Sequence, residues 1–255
     1  MRLAGLLLAG LTSPAMVATP SQSVTIVAHR GLAEGVPENT LAAFRQSIAN
    51  GISIIELDLR ITRDGQLVVL HDLTVDRTTD CAGAAADMTL ARIKTCNAGN
   101  GERVPTFGEV IALAHGKPVR ILADVKAGTP IGPVLGAIKQ AKAEHQAILG
   151  LRSVKQVVRA REALPDTTIL AYMPAIGDAP AFAKAGAGII RLWSDWVEAD
   201  PGLVARTAKF GPQIWIMIGR HLPSKPADWR SLHARMISAG AQGLITDRPD
   251  LISAR

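Results

Sequence analysis

The stretch Val27–Arg60, VAHRGLAEGVPENTLAAFRQSIANGISIIELDLR, sets two apolar, β-branched runs on either side of a segment of helical period. The first run ends in His29. The helical segment NTLAAFRQSIANG has Asn39 or Thr40 as its cap and Gly51 as its terminator, and SIIELDL opens the second run. Strand, helix and strand in that order form the unit from which parallel sheets are built. The same stretch poses a chemical problem, because Glu56 and Asp58 stand inside the second apolar run, where charge is costly unless paired or metal-bound. Their spacing of two directs both side chains to one face of a strand.

Outward from this unit the pattern repeats. Short runs VTIVAH, SIIELDL, QLVVLH, VRILADV, AILGL, TTILAY, AGIIRLW, QIWIMI and GLITD alternate with helix-like segments. Nine candidate strands are one more than an eight-stranded barrel needs, so one of the middle runs is expected to be a loop segment or a short extra strand. The expectation is an α/β fold, a (β/α)8 TIM barrel over residues 24–255. No Gly-x-Gly-x-x-Gly turn follows the first strand, which argues against dinucleotide binding. Residues 73–105 break the alternation and are expected to form a cap-like insertion after the third strand.

The 255 residues are 48% hydrophobic and 4% aromatic, compatible with one barrel-sized domain or two small ones. A net charge of +6 and a pI near 9.7 suit nucleic acid, an anionic lipid surface or a negatively charged small molecule. No basic run with interleaved aromatics is present, so nucleic acid is set aside, while a transient contact with a membrane surface stays open. No feature sets an oligomeric state. At the N-terminus, Met1-Arg2, LAGLLLAGL and a small-residue region read as a signal peptide over residues 1–23, cleaved between Ala15 and Ser23, with an uncleaved anchor as the alternative. The apolar stretch falls short of the roughly 20 residues a spanning helix needs. The expected location is periplasmic or secreted. In an oxidising compartment Cys81 and Cys96 are expected to form a disulfide, contributing roughly 3 kcal/mol in the chain-entropy model.

Two carboxylates facing one way near a strand end make a hard-oxygen site for one divalent cation, Ca2+ or Mg2+. The competing reading of Glu56 and Asp58 is the polar face of a half-solvated antiparallel edge. His29 and His71 each close a run, and carboxyl ends of barrel strands converge on active sites, so the two offer a general acid and a general base. Asp124 and Lys126 repeat the two-residue spacing, adding a third acid and a cation for a phosphate; Arg30 would clamp a phosphoryl group. Ion pairing of Arg30 and Lys126 to the same acids is equally open, and Lys126 also invites an aldolase-like Schiff-base reading. Asp64-Gly65 is a tight-turn signal, and His115, His145, His221 and His233 are bystanders.

With AHRG, PENT, IELDLRITRDGQLVVLHD and DRTT in order, and RVPTFGEV, ADVK and GLITDRPD further on, the chain resembles the glycerophosphodiester phosphodiesterase family. The resemblance implies a barrel that hydrolyses small-molecule glycerophosphodiesters to an alcohol and glycerol 3-phosphate with one divalent cation. Carried over by position, His29 and His71 are the acid-base pair, taken here as base and acid respectively. Glu56, Asp58 and Asp124 are metal ligands, and Arg30 and Lys126 contact phosphate. Three departures accompany it. Asp124 stands where the family usually has Glu, LGLRSV with Leu151 and Arg152 replaces a Ser-Phe pair, and IWIMIGR keeps only Trp215, assigned to substrate binding, of a Trp-Thr-Val-Asn-like strand. The first, one methylene shorter, bears on the third metal bond, and the other two bear on the alcohol side of the pocket. A lysophospholipase D or phospholipase D-like enzyme on a related barrel is the alternative, and a non-catalytic ligand-binding module would be expected to have lost one of these residues.

Overall fold

The computed structural model of the chain describes residues 24–31, 35–219 and 228–252; the leader assigned to residues 1–23 and His221 lie outside the described residues. Eight parallel strands close on themselves: β1 (Thr25–Ala28), β2 (Ile54–Ile61), β4 (Arg120–Val125), β5 (Ala147–Leu151), β6 (Thr168–Ala171), β7 (Ile189–Trp193), β8 (Gln213–Met217) and β9 (Gly243–Thr246), with β1 pairing both β2 and β9. The remaining strand, β3 (Leu67–Val69), pairs antiparallel with the end of β2. The supernumerary run is thus the third, QLVVLH, and not a middle one. Asp64-Gly65 leaves only a tight turn, with Gly65 at φ 77°, and parallel neighbours need a crossover of a dozen or more residues.

Helices α1 (Leu41–Ala49), α3 (Phe107–Ala114), α4 (Ile131–Gln140), α5 (Val154–Ala163), α6 (Ala179–Lys184), α7 (Ser194–Ala199), α8 (Leu203–Ala208) and α9 (Trp229–Ser238) cover the barrel, and α2 (Leu90–Ile93) lies in the insertion. Thr40 caps α1, accepting from Ala43 N–H, and Thr106 and Ser153 form capping boxes with Glu109 and Gln156. The two-residue strand period separates two apolar bodies. Ile55, Leu57 and Leu59 of β2 face the helices in the larger one, while Ile54, Leu122, Ile148, Leu170, Trp215 and Ile245 fill the barrel interior. Among the described residues no helix is long and apolar enough to cross a membrane.

Under the insertion, Val68, Leu70, Val75, Ala85, Ile93, Ala98 and Val104 form a third, smaller apolar cluster. Cys81 and Cys96 meet at disulfide-bonding distance beside it, with Cα atoms 5.5 Å apart and a sequence separation of 15. Replacing both by Ala is expected to lower unfolding free energy by about 3 kcal/mol, measured by urea titration, the value for closing a loop of this length.

His233 on α9 is buried, with Nε2 2.9 Å from Thr246 Oγ1. Burial depresses its pKa to about 4 from an ordinary 6.5. Between those two values the unfolded chain binds more protons than the folded one, so this group's contribution to stability falls as pH drops from 6.5 and is fully lost below 4. His233→Gln is expected to remove about 3 kcal/mol of the acid-side slope, seen by comparing urea midpoints of the two proteins at pH 7 and near pH 4.

Candidate active site

On the inner face of β2, Ile54 belongs to the apolar plug, and the next two inward positions are Glu56 and Asp58, both with no solvent exposure. Parallel pairing sets Asp58 level with Asp124 on β4, and Glu56, Asp58 and Asp124 bring oxygens within 4.8 Å of one another. The buried position of all three acids excludes a half-solvated edge. Lys126 Nζ lies 2.6 Å from both Asp58 Oδ1 and Asp124 Oδ2, and Arg152 Nη2 donates to both oxygens of Asp124 at 2.8 and 2.6 Å. Burial would raise the Asp58 pKa, but Lys126 and Arg30 outweigh it and hold this carboxyl well below the usual range. For Glu56 the balance is reversed: burial and the adjacent Asp58 outweigh the His29 and Lys126 charges and push it up to about 7. Its Oε1 is buried with no hydrogen-bond partner among the described residues. Three convergent carboxylates, one oxygen of which is orphaned, fit a hard divalent cation.

The turn after β1 is shaped for the same cluster. Arg30 adopts the left-handed region at φ 54° and Gly31 follows at φ 63°, where a Cβ would fall 2.4 Å from Phe44 Cδ1. This backbone aims Arg30 N–H at Glu56 Oε2, 2.8 Å away, while the guanidinium reaches Glu38 Oε1 at 2.9 Å and Asp58 Oδ2 at 3.4 Å. Asn39, also left-handed at φ 57°, donates from Nδ2 to Asp58 Oδ2 at 2.8 Å. In PENT only Thr40 is therefore the cap; Glu38 and Asn39 belong to the site. A polar residue next to a helix start has no local signal that separates capping from a contact 19 positions away, so the capping reading absorbed Asn39.

β1 and β9 pair Ala28 with Thr246, which puts the next residues, His29 and Asp247, side by side; His29 Nδ1 lies 2.6 Å from Asp247 Oδ1. Burial lowers the His29 pKa, but the Asp247 hydrogen bond and the Glu56 charge exceed it and leave it raised. His71 is not at the carboxyl end of a barrel strand. It follows the antiparallel β3 and arrives at the rim from the hairpin, held through its carbonyl by Arg60 at 2.7 Å, with Nδ1 2.6 Å from Asp72 Oδ1. Burial and the Lys126 charge lower its pKa. Arg77 of DRTT bridges Asp72 and Glu38 at 2.6 and 2.7 Å, tying the insertion to PENT.

His29, Arg30, His71, Asp124 and Lys126 line one cavity of about 770 Å³, with Glu38, Arg152, Tyr172, Arg191, Trp193, Met217 and Asp247 among the other residues of its wall. Trp215 is not among them. Two residues before the end of β8, it faces inward one layer too low, in the barrel plug, with its indole N–H donating to Gln213 Oε1 at 3.2 Å. Trp193, ending β7, supplies an aromatic wall instead. Asp247, Arg152 and Trp193 all stand at or just past strand ends, so the strand-end rule that selected His29 would have found them too. Lys126 stays charged, its pKa lowered by burial but raised further by Asp124 and Asp58, which removes the amine nucleophile a Schiff base needs.

A closed barrel whose mouth holds three buried carboxylates, fixed cations and two carboxylate-oriented imidazoles defines an enzyme architecture for cation-assisted phosphoryl chemistry. Residues 29–176 match the Glycerophosphoryl diester phosphodiesterase family. A glycerophosphodiester phosphodiesterase from Caldanaerobacter subterraneus subsp. tengcongensis is 34% identical over 248 residues, covering 89% of this chain and 95% of that protein. The chain belongs to this family. Among solved structures, a glycerophosphodiester phosphodiesterase from Agrobacterium tumefaciens shares the fold with TM-score 0.77 at 24% identity, covering 91% of this chain and all of that one. An Oleispira antarctica phosphodiesterase, solved with the product sn-glycerol-3-phosphate, has TM-score 0.77 at 22% identity over 90% of this chain and 95% of its own. The lysophospholipase D alternative is not favoured by these matches.

Proposed function

We propose that this chain hydrolyses glycerophosphodiesters to glycerol 3-phosphate and an alcohol. The observation that carries the reading is two imidazoles, each oriented by its own carboxylate, lining one cavity whose wall includes Asp124 of the buried three-carboxylate cluster. Glu56, Asp58 and Asp124 would hold one divalent cation, calcium or magnesium by the hardness of the donors, and when bound it supplies electrostatic stabilisation of a phosphate oxygen. Arg30 and Lys126 are assigned to neutralise the remaining phosphate charge. Carboxylates on Nδ1 of both rings leave Nε2 for proton transfer.

The environments split the two histidines in the opposite sense to the sequence expectation. His71, lowered, suits the base that takes a proton from the attacking hydroxyl; His29, raised, suits the acid that gives one to the departing alkoxide as its P–O bond breaks. An exported location, periplasmic or secreted, is supported by the cysteine pair at bonding distance.

The direct measurement is glycerol 3-phosphate release from glycerophosphocholine and glycerophosphoglycerol, by the wild type, with calcium, magnesium and manganese in turn and after chelation. Release that needs an added cation is expected; release undiminished by chelator, or none with any cation, would overturn the proposal.

A further inference from the structure

The wall of the cavity contributed by β5, β6 and β7 carries two further arginines, Arg152 and Arg191, to which the phosphate chemistry above assigns no contact. Arg152 follows β5, Tyr172 follows β6, and Arg191 and Trp193 lie on β7. The Tyr172 ring lies directly over Gly150, where a Cβ would stand 2.4 Å from its Cε2, so only glycine admits the ring at this place. Both guanidinium groups stack on that ring, Arg152 at 4.9 Å and Arg191 at 5.2 Å from its centroid, and Arg191 stacks on Trp193 at 4.1 Å. Tyr172 is 2% exposed, yet its hydroxyl has no hydrogen-bond partner among the described residues. Burial keeps this phenol protonated, well above its ordinary pKa, so it is a donor. Arg152 uses Nη2 on Asp124, and its Nη1 makes no hydrogen bond among the described residues.

We propose that this wall receives the alcohol half of the substrate and selects alcohols bearing an anionic oxygen group, with Arg152, Arg191 and the Tyr172 hydroxyl as its contacts. The inference rests on the hydrolase reading above and adds the substrate class. Two features oppose a cationic head group. A quaternary ammonium is held by aromatic faces or carboxylates, and here the aromatic rings of the wall are already stacked by fixed cations. The carboxylates of the lining are engaged as well: Asp124 with Lys126 and Arg152, Glu38 with Arg30 and Arg77, and Asp247 with His29. An anionic oxygen group, by contrast, would meet a guanidinium fork and a protonated phenol of the kind that gives the stronger hydrogen bonds. Arg152 also links the two halves of the cavity, because the same side chain touches Asp124 of the acid cluster and the Tyr172 ring.

The test uses three diesters that share the glycerol 3-phosphate half and differ in the alcohol: 3-hydroxypropionate, propanol and choline. With the cation-loaded wild type, kcat/KM is expected to be at least about tenfold higher for the hydroxypropionate diester than for the propanol diester, the scale of one charge-assisted hydrogen bond, with the choline diester lowest. Arg191→Gln is expected to bring the hydroxypropionate-to-propanol ratio close to one. Tyr172→Phe keeps the ring and removes the donor, so a partial fall in the same ratio is expected even if the Arg191 variant does not fold. Equal efficiencies for the three diesters, a preference for choline, or a ratio unmoved by Tyr172→Phe would overturn this inference while leaving the hydrolase reading intact. Failure to release glycerol 3-phosphate from any of the three would overturn both.

Discussion

His29→Ala is expected to lower kcat on glycerophosphocholine by about 10²- to 10⁴-fold, and to lose most of that deficit when the leaving group is a nitrophenolate. A departing alkoxide needs a proton, whereas a nitrophenolate leaves as a stable anion. His71→Ala is expected to lose a comparable factor on both substrates, since activation of the attacking hydroxyl is required in either case. This asymmetry follows from the opposed environments of the two rings. His29 is partly buried against Asp247 and raised by that hydrogen bond and by Glu56, and His71 is lowered by burial and by Lys126. Rescue of the His71 variant by nitrophenolate, with none for the His29 variant, would restore the roles first expected from the sequence. Asp247→Asn is a milder probe of the same pair, shifting the alkaline limb of the kcat/KM profile to lower pH as His29 loses the partner that raises it.

The second large effect is a contrast within the acid cluster, read as stability in chelated protein. Asp58→Asn is expected to destabilise by about 3 kcal/mol, because Lys126 and Arg30 keep their buried charge and lose a shared partner. Glu56→Gln is expected to be neutral or stabilising under the same conditions, and more so at higher pH. The Glu56 carboxyl is raised to about 7, so the unfolded chain releases this proton first, and folding loses stability as pH rises from the ordinary value of 4.5 through 7. Both variants are expected to abolish the rise in unfolding temperature that a saturating divalent cation produces in the wild type, about 2.7 kcal/mol at a hundred times the dissociation constant. Urea and thermal titrations with and without calcium read both effects. Equal destabilisation by the two variants would mean that Glu56, like Asp58, is held by fixed cations and has no vacant coordination oxygen.

How much of this was legible beforehand varies residue by residue. The period of two that hides Glu56 and Asp58 in an apolar run is local, and it put both side chains on one face before any fold was known. The parallel register then placed Asp124 at their level, as the repeated spacing in ADVK had suggested. His71 was selected for a reason that does not apply to it: the residue closes a run, but the run turns back as a hairpin arm. Trp215 is pointed to by the family resemblance, whereas its depth along β8 depends on where the strand ends. Asn39 was read as helix start because capping is the local use of such a residue, and its bond to Asp58 exists only once β2 lies beside the turn.

The sequence by itself determined the alternation of strands and helices, the inward-facing acids, the tight turn at Asp64-Gly65 and the pairing of the two cysteines, because each is set by neighbours within a few residues or by residue chemistry alone. The tertiary structure alone decided that His29 meets Asp247 across 218 positions, that Arg152 and Lys126 share Asp124, and that Arg191 and Arg152 stack on Tyr172. Those contacts depend on barrel closure and strand register, which bring strand ends together at a common level, and no periodicity along a single chain carries that distance.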